Sequence, residues 1–133
     1  MQQLTARDTV TLDTVWLDYK KARKLKASTL QGYEQRLKLC FGEWLSLPIT
    51  DISKDMVEER HREISTQDGP RGCGKAQANQ AMRVLRALIN FATYKYDDLA
   101  NMANPVSRLT QVRAWNKVMM LDRFDVPMKE QKI

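Results

Sequence analysis

The chain has 133 residues, of which 43% are hydrophobic and 29% charged, and a net charge of +6. That is enough apolar material for one self-supporting core, which excludes a chain disordered throughout. The basic balance points to a polyanionic partner, either nucleic acid or an anionic membrane surface.

Taken in chain order, nearly every segment has helical period. Leu12, Val15, Trp16 and Tyr19 follow i, i+3, i+4, i+7 spacing, which predicts a helix over 12–24 with Thr11 as its N-cap. Ser28 is the expected cap of a second helix over about 29–45, with Leu30, Tyr33, Leu37, Phe41 and Trp44 on one stripe. Pro48 ends it, and Ile49 and Ile52 form a short anchor. Ser53 caps a third helix over about 54–65, with Met56, Val57 and Ile64 inward. Residues 66–75 are rich in glycine and form the clear loop. A fourth helix is predicted over about 76–96, burying Ala78, Ala81, Met82, Leu85, Leu88, Ile89 and Ala92. Asn104-Pro105 breaks the chain before a shorter helix over about 106–114, and the tail from about Val118 has no clean period. The fold class expected is an all-α, compact bundle of four to five helices.

Charge is segregated along these helices. Residues 20–38 carry seven basic residues and one acid, and residues 71–96 carry five basic residues and none. The stretch between, 39–70, holds seven acids against three bases. On the fourth helix, with Leu85 at 0°, Lys75, Asn79, Arg83, Arg86 and Asn90 fall between about 80° and 160°. Arginine reads guanine and asparagine reads adenine bidentately, so an acid-free face of this kind suits duplex DNA. At the start of the second helix, Lys26, Ser28, Thr29, Gln31, Gln35 and Arg36 offer hydroxyls, amides and cations suited to phosphate contacts.

Other signals lead away from catalysis. Gly69 to Lys75 spells G-x-x-x-x-G-K, but Ala76 stands where a phosphate-binding loop needs Ser or Thr for magnesium, and no strand precedes it. His61, the only histidine, has no nucleophile at recognisable spacing and is expected on the surface. The adjacent acids Glu58-Glu59 and Asp97-Asp98 point apart on a helix, and Met56 and Met82 suit a core and Met119-Met120 the tail. Cys40 and Cys73 have no metal-ligand spacing and suggest reduced thiols. No apolar run approaches the roughly 18 residues that cross a membrane. The first residues lack signal-peptide character, so a cytoplasmic protein is expected. No metal, cofactor, small-molecule substrate or membrane partner is expected.

Three blocks resemble a known family. They are Thr11-Leu12, Trp16 and Tyr19; then Lys26-Ala27-Ser28-Thr29-Leu30, Tyr33, Leu37, Phe41-Gly42 and Trp44-Leu45 through Pro48-Ile49-Thr50-Asp51-Ile52; and Ala78-Asn79 with the run from Arg83 to Ala92, followed by Asn104-Pro105-Val106. In order and spacing they look like the core-binding domain of phage-type tyrosine recombinases (integrases), over about residues 10–115. The resemblance implies a SAM-like bundle forming half of a C-shaped clamp on the recombination half-site. Its second and fourth helices would lie against the major groove. It also implies that the cutting tyrosine and its arginines, histidines and lysine belong to a separate C-terminal domain, so that this chain alone is not an enzyme. Tyr19, Tyr33, Tyr94 and Tyr96 fall within the bundle region, and none matches the nucleophile motif. The expected organisation is a tail over 1–10, the DNA-binding domain over 11–115, and a tail or truncated linker over 116–133. The expected partners are double-stranded DNA at an attachment-site core and other recombinase subunits. Two rival functions stand beside it: a stand-alone regulatory DNA-binding protein, and a helical protein-interaction module whose basic faces meet an acidic protein.

Overall fold

A computed structural model describes residues 10–66 and 74–116. Thr11 opens the first helix, α1 (Leu12–Ala22), by accepting from the Thr14 amide at 3.2 Å. Two amides at this helix start lack intrahelical partners, and the chain supplies them from afar. Leu12 N–H donates to the Leu47 carbonyl at 3.1 Å and Asp13 N–H to the Leu45 carbonyl at 3.0 Å. Ile49 N–H donates to the Val10 carbonyl at 2.9 Å, and Thr11 and Pro48 form an isolated antiparallel bridge. The start of α1 is thereby tied to the segment around Pro48.

Helix α2 (Ala27–Phe41) begins two residues before its expected start. Lys26 occupies the N-cap position without a side-chain cap bond, and its carbonyl accepts from Leu30 N–H at 2.9 Å. Ser28 therefore lies inside the first turn and does not cap. A 3₁₀ turn, Gly42–Trp44, carries Trp44 into the core where a longer helix was expected. A second, Ile49–Asp51, buries Ile49, and Ile52 follows it into the core as expected.

Ser53 caps α3 (Lys54–Ser65), its Oγ accepting from Met56 N–H at 3.1 Å. Helix α4 (Gly74–Lys95) has 22 residues and spans roughly 33 Å. Its predicted stripe is buried throughout: Ala78, Ala81, Met82, Leu85, Leu88, Ile89 and Ala92 are all fully inaccessible. It packs against α1, α2 and α3, which makes it the axis of the bundle. A 3₁₀ turn, Asp97–Leu99, follows it.

Helix α5 (Ser107–Gln111) is shorter than expected. The chain turns back at Arg113, which adopts φ 55°, and Ala114 N–H closes onto the Leu109 carbonyl at 2.7 Å. Residues 112–116 then form a strap over α3 and α4. Asn104 pins the approach to α5, donating through Nδ2 to the Arg86 carbonyl at 3.1 Å and to Asn90 Oδ1 at 2.9 Å.

The core is one cluster, with Trp16, Leu37, Phe41, Trp44 and Leu85 all buried. Leu30, Tyr33 and Met56 are only half-buried and pack at its margin. Tyr19 connects helices through its ring, stacking on Tyr33 at 6.1 Å and meeting Phe91 edge-on at 5.3 Å. The described residues thus form an all-α bundle, and among them no helix is long and apolar enough to cross a membrane. Cys73, most of the glycine-rich loop and the tail from Val118 lie outside the described residues.

Candidate nucleic-acid interface

The predicted site residues divide into those that the fold brings to one surface and those that it uses internally. On α2, Lys26, Ser28, Gln31 and Gln35 are exposed, and Thr29 and Arg36 are half-buried. On α4, Lys75, Arg83, Arg86 and Asn90 are exposed. The helices pack side by side and are bridged by Arg36, whose Nη2 donates to Gln80 Oε1. A groove of about 220 Å³ between them is lined by Tyr33, Arg36, Gln80, Arg83 and Val84. A wider depression of about 520 Å³ along α2 is lined by Ser28, Gln31, Gly32, Glu34, Gln35 and Lys38.

Asn79 does not belong to this surface. It is 5% exposed, and the strap covers it. Its Nδ2 donates to the Asn116 carbonyl at 2.8 Å, and its Oδ1 accepts from Asn116 N–H at 3.1 Å. The same Oδ1 lies 3.0 Å from His61 Nε2. Because that oxygen is an acceptor, His61 must donate from Nε2, which fixes its tautomer. His61 is 3% exposed, not at the surface, and meets the edge of Trp115 at 6.0 Å. Asn116 completes the cluster by donating through Nδ2 to Ser65 Oγ at 2.8 Å and to the Lys75 carbonyl at 3.0 Å. Two residues predicted outward are therefore the interior of one buried polar network. The position of His61 was legible, because Val57 and Ile64 place it on the buried stripe of α3. That of Asn79 was not, because local period puts it outward and only the strap encloses it.

The strap also reaches the exposed face. The Arg86 guanidinium sits 5.5 Å from the Trp115 ring centre, and Trp115 Nε1 donates to Thr110 Oγ1 at 2.9 Å. The cation is thus set against a ring that is itself held. Asn90 keeps its place through the bond from Asn104. Tyr94, one turn further on, points outward and is 86% exposed, although it lies within the bundle region by sequence. Gln80, Lys38 and Tyr94 join the surface without having been singled out in the sequence. Gln80 and Tyr94 fall on the outward side of α4 by the same 100° step that places Arg83 there.

Ion pairing separates the surfaces. Of the eight pairs among the described residues, six involve α3. Arg60 pairs with Glu43 and with Glu63, Arg62 with Glu58 and Glu59, and Arg108 with Asp55 and Glu58. Lys26, Lys38, Lys75, Arg83 and Arg86 have no ion-pair partner among the described residues. Burial, and then Tyr19, push the Tyr33 phenol above its ordinary value. Burial likewise raises the Cys40 thiol, with Arg36 and Arg60 opposing. Among the described residues no group of three or more His, Cys, Asp or Glu side chains is placed to hold a metal.

No family model, no curated protein and no solved structure matches the chain.

Proposed function

We propose that this chain is a duplex-DNA-binding module of the core-binding type found in phage-type tyrosine recombinases. It would grip the recombination half-site through α2 and α4. The observation that carries this reading is the pairing of two neighbouring helices whose exposed cations Lys26, Lys38, Lys75, Arg83 and Arg86 have no carboxylate partner among the described residues, beside a third helix whose arginines are neutralised; on α4 only the last-turn Lys95 is paired, with Asp18. Unpaired cations release condensed counterions from DNA when they meet phosphate, whereas paired ones must first give up their carboxylates. The contact set is Lys26, Ser28, Thr29, Gln31, Gln35 and Arg36 on α2, with Lys75, Arg83, Arg86 and Asn90 on α4. Asn79 drops out, since its polar atoms are engaged inside. The resemblance stated from sequence supplies the recombinase context. In that context the module contributes affinity, half-site selection and subunit contacts, and strand cleavage belongs to other residues.

Fluorescence anisotropy on a labelled duplex tests this. The expected result is weak, sequence-tolerant binding, with a dissociation constant on the order of 10⁻⁴–10⁻⁶ M at physiological salt that tightens steeply as salt falls. A preference for an acidic protein over duplex at every salt concentration would contradict it and favour a protein-interaction module. On a nicked suicide substrate, no covalent protein–DNA adduct should form.

A further inference from the structure

Two arginines from different helices face one small groove. Its walls are Tyr33 and Arg36 from α2 and Gln80, Arg83 and Val84 from α4, around a space of about 220 Å³. Arg36 is anchored by the protein itself. Its Nη1 donates to the Gly32 carbonyl at 3.3 Å, and its Nη2 donates to Gln80 Oε1. Its Nε is buried and has no hydrogen-bond partner. Gly32 leaves room beside it: a Cβ there would stand 3.1 Å from Nη1, so a larger residue would push the guanidinium by a few tenths of an ångström. Arg83 is the opposite case: exposed, with neither an ion pair nor a side-chain hydrogen bond among the described residues. No carboxylate lines the groove. Two guanidinium groups, a carboxamide and a phenol thus converge on one space, with nothing fixed there to neutralise the charge. Guanidinium forks match phosphate oxygens in geometry as well as charge, and an anchored fork loses little rotamer freedom on binding.

We propose that this groove seats a single backbone phosphate of duplex DNA, shared between Arg36 and Arg83. The proposal rests on the DNA-binding function above and goes further, since one phosphate held by both helices would fix the register of α2 and α4 together on one strand. Phosphate contacts of this kind set position and leave sequence to be read by neighbours such as Arg86 and Asn90. The chemistry recognised is a phosphate oxyanion, so free phosphate is the other source to be distinguished.

The test is the salt dependence of duplex binding by the full chain, with Arg36→Gln, Arg83→Gln and the double variant. If one phosphate is shared and is seated only when both guanidinium groups are present, the slope of log K against log salt falls by about 0.9 in each single variant and by no more than that in the double. A fall of about 1.8 in the double variant means two separate phosphates and overturns the proposal, as does an unchanged slope in either single variant. A second arm needs no variant. The Nε–Hε resonances of Arg36 and Arg83 are followed while inorganic phosphate replaces chloride at matched ionic strength. Both should shift together, and an absence of shift in either one overturns the shared anion seat. If the wild-type chain fails to bind duplex at any salt while both resonances respond to phosphate, the DNA-binding function fails and the anion seat stands.

Discussion

Helices α3 and α4 pack against each other and both display arginines, yet they spend them differently. On α3, Arg60 donates to the Cys40 carbonyl and Glu43, bonds Glu63 at 3.0 Å, and lies 4.7 Å from the Trp44 ring. Arg62 is held by two glutamates of its own helix. On α4, Arg83 and Arg86 have no carboxylate partner among the described residues. Arg60 and Arg62 are spent within the fold, whereas Arg83 and Arg86 are left without a carboxylate, and on α4 only Lys95, in the last turn, is paired. A count of arginines alone cannot make this distinction, since a paired guanidinium is counted but has little field left to offer a polyanion.

The largest expected effect lies on the inner side of α4. Leu85 is fully buried at the centre of the core, so Leu85→Ala should lower stability by roughly 2–5 kcal/mol in chemical or thermal unfolding. A melt equal to the parent would mean that α4 is rotated from its assigned phase, and the outward arginines with it.

Next comes the buried network. Asn79→Ala leaves the His61 N–H and the Asn116 backbone groups without their partner, at a cost of about 1–3 kcal/mol. Duplex affinity, measured where the variant is still folded, should stay at the parent's value. A loss of DNA binding without a loss of stability would return Asn79 to the reading surface.

A smaller and more direct contrast pairs an arginine from each helix. Arg60→Ala should destabilise by roughly 1–2 kcal/mol, because several partners and a ring lose the same cation. Arg83→Ala should change stability by less than about 0.5 kcal/mol. Equal losses would erase the division between structural and available cations.

The smallest effect is seen in alkali. Burial, followed by the hydrogen bond to Asp18, pushes the Tyr96 phenol up to about 12 from 10.0. A raised folded-state value means that this contribution is fully present below pH 10 and is lost as pH rises toward 12. Tyr96→Phe should flatten that part of the stability profile. An unchanged profile would show that the Asp18 bond carries no such linkage.

The bundle itself was legible in sequence because its signals are local. The 3.6-residue period of α4 and the caps at Thr11 and Ser53 each act within a turn or two of chain, whereas α2 ends at Phe41, before Pro48 could stop it. The outward phase of Lys75, Arg83, Arg86 and Asn90 was legible for the same reason, and all four are exposed on α4. The remainder depends on contacts between residues far apart in the chain. Asn79 is enclosed by Asn116, 37 positions away, and Arg36 is anchored by Gln80, 44 positions away. Ser28 failed as a cap because the helix had already begun at Ala27, a choice of two residues that propensity does not decide.

The measurement that bears most directly on the division between α3 and α4 is charge reversal on each helix, read as duplex affinity at low salt. Arg83→Glu together with Arg86→Glu should remove most binding, because two unpaired cations become anions facing phosphate. Arg62→Glu, a single reversal on α3, should leave affinity near that of the parent measured at the same salt, and less than half of the α4 loss should appear, because its charge stands away from the DNA-facing surface. If the α3 variant loses as much affinity as the α4 variant, or the α4 variant binds as the parent does, DNA does not meet the α4 face.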